Sequence, residues 1–113
     1  ERYPHVEVMA VGTNSLATGA MLRAGADQAA TGENSVVVAS ARADVIMGPV
    51  GIVIADSMLG EITPKMALAV GQSRAKRILI PVNLCDNIIV GVSDTSMSKN
   101  VQNAADALRM LIN

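Results

Sequence analysis

The stretch Ala43-Asp44-Val45-Ile46-Met47-Gly48-Pro49-Val50-Gly51 constrains this chain more than any other. It reads as a short buried strand running into a Gly-Pro-x-Gly turn, followed by an apolar segment, Ile52 to Leu59. Strand, glycine turn and helix in that order are the unit of a parallel sheet covered by helices. Open α/β sheets bind ligands at such turns, outside the carboxyl ends of the strands. Two glycines let a ligand approach the backbone, and a helix start offers unpaired N–H groups to an anion. The whole apolar run, Val45 to Ala55, is bounded by Asp44 and Asp56 and broken by Gly48, Pro49 and Gly51. A membrane span needs about 20 apolar residues. The run is therefore read as a buried element, and no membrane association is expected.

The chain of 113 residues is expected to form one domain. Half of its residues are hydrophobic, yet it has no Trp, no Phe and a single Tyr, Tyr3. Ala, Val, Ile, Leu and seven Met must fill the core. Small and β-branched residues suit helices packed closely on a parallel sheet. The methionines suit an adaptable core or a buried subunit contact. Net charge is −1, and the densest basic cluster is only Arg74, Lys76 and Arg77. Nucleic acid, which calls for a concentrated basic patch, is not an expected partner. The single cysteine, Cys85, leaves no internal disulfide and fits a reducing cytoplasm.

Strand and helix signals alternate along the sequence. A strand is expected over His5 to Val11. Gly12-Thr13-Asn14-Ser15 then turns and caps a helix that runs to about Arg23 and ends at Gly25. A weak strand over Ala26 to Thr31 leads through Gly32-Glu33-Asn34 into a small helix, Ser35 to Ala41. Val36-Val37-Val38 alone would suggest a strand, but its place between two strands favours helix. After the central strand, Val45 to Met47, a helix is expected over Ile52 to Leu59, apolar nearly all round and closed by Gly60. Thr63 caps the next helix, with Pro64 at its first position, ending near Ser73. Arg77 to Val82 is a strand. Asn83-Leu84-Cys85-Asp86 turns into a further strand, Asn87 to Val92, as an antiparallel hairpin at the sheet edge. The last helix, Ser98 to Ile112, carries Val101, Ala104, Ala105, Leu108, Leu111 and Ile112 on one stripe.

Several segments together resemble a small bacterial family of unknown function. They are Gly12-Thr13-Asn14-Ser15-Leu16-Ala17-Thr18, Gly25-Ala26-Asp27, Thr31-Gly32-Glu33-Asn34, Gly48-Pro49-Val50-Gly51, Ser57 to Thr63 and Ser73-Arg74-Ala75-Lys76. The likeness covers essentially the whole chain. It implies a Rossmann-like domain whose relatives begin with one more strand and a glycine-rich turn. Glu1-Arg2-Tyr3-Pro4 reads as the tail of something earlier. The expectation is a single Rossmann-like domain over residues 1–113, lacking an amino-terminal strand–helix unit that was removed or lies on another chain. The resemblance supplies no chemistry.

Each candidate site has a structural reading beside the functional one. Gly48, Pro49, Val50 and Gly51 are a ligand-facing turn or a close helix–sheet packing turn. Thr13 and Asn14, at the end of the first strand, stand where an adenosine ribose would sit, or simply cap a helix. No Asp or Glu accompanies them to hold a ribose diol. Thr31, Gly32, Glu33 and Asn34 could line the same cleft, but Glu33 is read as serving the helix dipole; Asp56 could be a general base or a subunit-spanning acceptor, but is read as the wet face of its helix. Ser73, Arg74, Lys76 and Arg77 could hold phosphate, but are read as decorating a helix carboxyl end. Cys85 lacks a base, because the only histidine, His5, lies at the far end of its strand. A single His and a single Cys do not make a zinc site.

The expected fold is α/β, a three-layer Rossmann-like sandwich with a mostly parallel sheet and an antiparallel edge strand. The expected function is binding of a nucleotide, a dinucleotide or another phosphorylated small molecule at the carboxyl edge of the sheet, through Thr13, Asn14, Gly48, Pro49, Gly51 and Asn83. No residue pair supports a claim of catalysis. The rival is a non-catalytic homo-oligomeric module assembled through the Ile52–Leu59 helix. A thiol sensor at Cys85 is a third.

Overall fold

Strands and helices alternate in the computed structural model, which describes residues 5–81, 87–90 and 97–112. The strands are β1 (Met9–Gly12), β2 (Gln28–Thr31), β3 (Val45–Pro49) and β4 (Lys76–Ile80). The α-helices are α1 (Ser15–Arg23), α2 (Glu33–Arg42), α3 (Pro64–Gln72) and α4 (Met97–Ile112). A short 3-10 helix, Val50–Val53, follows β3 directly.

Local chemistry accounts for these boundaries. Asn14 caps α1, its side chain accepting from the Ala17 amide at 2.9 Å. Gly25, at φ 121°, ends the same helix, where the Ala26 amide reaches back to the Met21 carbonyl. Thr63 caps α3, accepting from the Met66 amide, with Pro64 in the first turn. Arg77 donates to the Ser73 carbonyl at 2.7 Å, closing the carboxyl end of α3 as the dipole favours. The valines of α2 adopt helix despite their strand preference. Val36 packs against the cluster formed by Ile62, Met66 and Ala67, and this burial outweighs a small propensity term.

β1 pairs with β2, and β3 with β4, both in parallel. The expected parallel pairing is present, but as two separate two-stranded sheets instead of one continuous sheet. The first strand also begins later than expected. Val8 receives the Asp27 and Gln28 amides on its carbonyl, and its own amide donates to the Asp27 side chain, before regular pairing starts at Met9. The turn of the expected edge hairpin, with Asn83 and Cys85, lies outside the described residues.

α1 packs on both strands of the first pair. α2 touches the same pair and packs extensively on α3, which rests on the 3-10 helix, and α4 lies against β4. On α4 the expected stripe is inward at Ala104, which is buried, and at Ala105, Leu108 and Ile112, which are half-buried. Val101 and Leu111, at its margins, are exposed.

The expected helix over Ile52 to Leu59 is not formed. The 3-10 turn stops at Val53, Ile54 is extended, and the chain reverses so that the Asp56 amide meets the Ile62 carbonyl at 2.6 Å. Asp56, Met58 and Leu59 all have φ near +60°, a left-handed conformation incompatible with a right-handed helix. The β-branched run Ile52-Val53-Ile54 offers little helix propensity against this. Leu59 is fully exposed, so its backbone strain can be tested without disturbing packing. Leu59→Gly is expected to leave the melting temperature unchanged or raise stability by up to about 1 kcal/mol, and Leu59→Val to lower it by about as much. Thermal unfolding by circular dichroism distinguishes the two.

Candidate functional site

The carboxyl ends of β1, β2 and β3 are linked by side chains. Thr13 and Asn14 follow β1, Glu33 follows β2, and the segment from Gly51 to Thr63 follows β3. Thr13 Oγ1 and Asn14 Nδ2 both donate to Glu61 Oε1, the second at 3.4 Å. Thr63 Oγ1 donates to Glu33 Oε2 at 2.6 Å. Ser57 Oγ donates to the Gly51 carbonyl at 2.5 Å. The left-handed segment after β3 is thus pinned at its root, near its tip and at its exit.

The residues expected from sequence divide into three groups. Thr13 and Asn14 are brought together with the segment leaving β3, and Asn14 performs its capping role at the same time. Gly48, Pro49 and Gly51 end β3 and begin the 3-10 turn, and there the packing explanation is the better supported. A Cβ on Gly48 would lie 3.1 Å from Ile52 Cδ1. Gly51 is buried, and its carbonyl accepts from the Ile54 amide and the Ser57 hydroxyl. The expected anion site at the start of an Ile52–Leu59 helix has no such helix to supply it. Asn83 lies outside the described residues.

Two carboxylates make contacts that the sequence did not reveal. Glu33 stands in the first turn of α2, as the dipole reading has it, and also receives the Thr63 hydroxyl. Glu61 comes from 47 to 48 residues away to meet Thr13 and Asn14. Only the left-handed turn through Met58, Leu59 and Gly60 brings it there, and that turn was read as helix.

The arrangement offers hydroxyl, amide and carboxylate groups from several segments at one edge. His5 lies before β1, at the opposite end of that strand. Among the described residues no three His, Cys, Asp or Glu side chains are grouped to hold a metal ion. An open depression of about 260 Å³ lies at the carboxyl end of β4, between Ile78 to Pro81 and Asn100 and Asn103 of α4. Another, of about 310 Å³, lies at the amino ends of β3 and β4 beside Arg42, Asp44 and Arg74. Neither depression includes Thr13, Asn14, Gly48, Pro49 or Gly51.

The profile of a family described as "Domain of unknown function (DUF3842)" matches residues 1–113. The chain belongs to the DUF3842 family. Neither the curated proteins nor the solved structures compared with it gave a match. Membership of DUF3842 agrees with the reading of a family of unknown function that spans the whole chain, and carries no activity with it. No helix among the described residues of this DUF3842 domain is long and apolar enough to cross a membrane.

Proposed function

We propose that this DUF3842 protein binds a nucleotide or a related phosphorylated small molecule at the carboxyl edge of its strands. The observation that carries this reading is the convergence of polar side chains from behind three parallel strands, Thr13 and Asn14, Glu33, and Glu61 and Thr63. In open α/β sheets the ligand crevice lies at that edge, where the strand order reverses. The reading takes the two separate pairs, β2-β1 and β3-β4, as the two flanks of a Rossmann-like, three-layer sandwich. Support comes from the helices. α1 and α2 both touch the β1–β2 pair without packing substantially on each other, as helices on opposite faces do, and α3 joins α2. Right-handed connections on opposite faces run in opposite directions along a sheet. The reversal point then falls between β1 and β3, beside Thr13 and Glu61.

Native mass spectrometry of the purified protein, with a denatured mass alongside, tests this, together with thermal melts in AMP, ATP and NAD. A retained mass lost on denaturation is expected. A nucleotide at 100 times its Kd should add about 2.7 kcal/mol of stability. A bare chain that none of these nucleotides stabilises would overturn the reading.

A homo-oligomeric module is the second reading, and a separate observation favours it. Leu59 is 100% exposed and Leu16 84%. The interface would not use an Ile52–Leu59 helix, but Leu59 remains available to it.

A further inference from the structure

We propose that the depression at the amino ends of β3 and β4 is a second ligand site, which takes a small phosphate monoester carrying a hydroxyl group. It lies at the opposite ends of the strands from the proposed nucleotide edge and does not depend on that reading. The depression, about 310 Å³, is lined by Ala41, Arg42, Ala43, Asp44, Arg74 and Ala75. Arg42 is the last residue of α2, Asp44 leads into β3, and Arg74 and Ala75 join α3 to β4. Three alanines leave the space open, and three charged residues border it. Among the described residues neither guanidinium has a hydrogen-bond or ion-pair partner, and nor does the Asp44 carboxylate. The three charges therefore surround the depression without neutralising one another.

The role expected of Arg74, at a helix carboxyl end, is filled by other groups. Arg77 donates to the Ser73 carbonyl at 2.7 Å and reaches the Val70 carbonyl in the last turn of α3. Ser73 Oγ donates to the Ser40 carbonyl, near the end of α2, at 2.7 Å. Carbonyls at both helix ends, which would repel an anion, are thus partly answered, and Arg42 and Arg74 remain for a ligand. Their backbone is held in place. Ser73 Oγ also accepts from the Ala75 amide at 3.1 Å, the Lys76 amide donates to the Asp44 carbonyl at 3.1 Å, and Ala75 is buried. Two guanidinium forks from separate segments call for an acceptor with more than two oxygens. A phosphate monoester has three acceptor oxygens and nearly two charges, whereas a carboxylate satisfies one fork. Asp44 has the wrong charge for phosphate and the right one to accept from a hydroxyl, so the ligand carries a hydroxyl beyond its phosphate.

The test is an NMR titration of the backbone amides with glycerol 3-phosphate, inorganic phosphate and succinate at constant ionic strength. Saturable shifts are expected at Ala43, Asp44 and Ala75, with glycerol 3-phosphate bound most tightly. Arg42→Ala and Arg74→Ala should each weaken its binding by roughly tenfold or more, the effect of losing a charge-assisted hydrogen bond. Asp44→Ala should bring glycerol 3-phosphate down to the affinity of inorganic phosphate. All three side chains are exposed, so these variants should fold. Lys65→Ala, at the other end of α3, should bind as the wild type does. The absence of saturable shifts at these amides would overturn the proposal, and so would an equal loss in Lys65→Ala. Succinate or inorganic phosphate binding as tightly as glycerol 3-phosphate to the wild type would overturn the assignment of a hydroxyl-bearing phosphate monoester.

Discussion

Replacing Gly12 with valine should lower stability by about 3 kcal/mol, which for a domain of this size is a fall of roughly 12 °C in melting temperature. Gly12 ends β1 where the first turn of α1 folds back over it. A Cβ there would lie 2.2 Å from Thr18 Oγ1 and 2.8 Å from the Thr18 backbone nitrogen. The second distance decides the size of the effect, because a rotamer change can move a hydroxyl but not a helical backbone. Thr18 is buried, and its hydroxyl lies within hydrogen-bond distance of the Asn14 and Ala30 carbonyls while accepting from Thr31. Displacing it strands polar groups as well as straining the helix. Gly71→Ala is the control. It lies in α3 with nothing within 4 Å of a new Cβ, so it should be neutral or stabilising by up to about 1 kcal/mol. Thermal or urea unfolding reads both. A Gly12→Val protein as stable as the wild type would mean that α1 does not approach β1 this closely.

That glycine illustrates what the sequence could and could not convey. Gly12-Thr13-Asn14-Ser15 announces a turn and a cap, because capping needs only residues three positions apart. The same locality made Gly25, Thr63 and Pro64 legible, and with them most helix ends. What the sequence does not encode locally is which segment a turn approaches. Gly12 as a contact, and Gly48 against Ile52, are consequences of packing and not of any short pattern. The division of the strands into two pairs was equally invisible, since periodicity locates strands without saying which edges meet.

The failure at Ile52 to Leu59 has a definite cause. A run that is apolar nearly all round is ambiguous between a buried helix and a buried irregular segment, and periodicity cannot separate them. Gly60 was read as a helix stop. It is instead the last residue of a left-handed turn that starts at Met58. With the helix goes the anion site at its start, and with the turn comes Glu61. The candidate site was therefore half legible. Thr13 and Asn14 sit where the strand pattern put them. Their carboxylate partner could be found only once the backbone of the following loop was known.

Met66→Ala should destabilise the protein by about 2–5 kcal/mol, comparable with Gly12→Val or larger. Met66 is 4% exposed and forms the described core cluster with Ile62 and Ala67, against which Val36 and Ile52 pack. Those five residues come from α3, the loop before it, α2 and the 3-10 turn. Truncating Met66 thus opens a cavity where several elements meet. Collapse cannot readily fill it, because Ile62 is fixed through its carbonyl to the Asp56 amide and through its own amide to the Ser57 carbonyl. No hydrophobic side chain among the described residues is below 2% exposed, so this thin cluster bears an unusual share of a total stability of about 5–15 kcal/mol. Met66→Leu, which nearly conserves volume, should cost less than about 1.5 kcal/mol. The same cluster underlies the segment that carries Glu61. On the proposed function, Met66→Ala should also weaken nucleotide binding at temperatures where the fold is still intact, whereas Met66→Leu should not. Loss of stability with binding unchanged would show that Glu61 is positioned independently of the core beneath it.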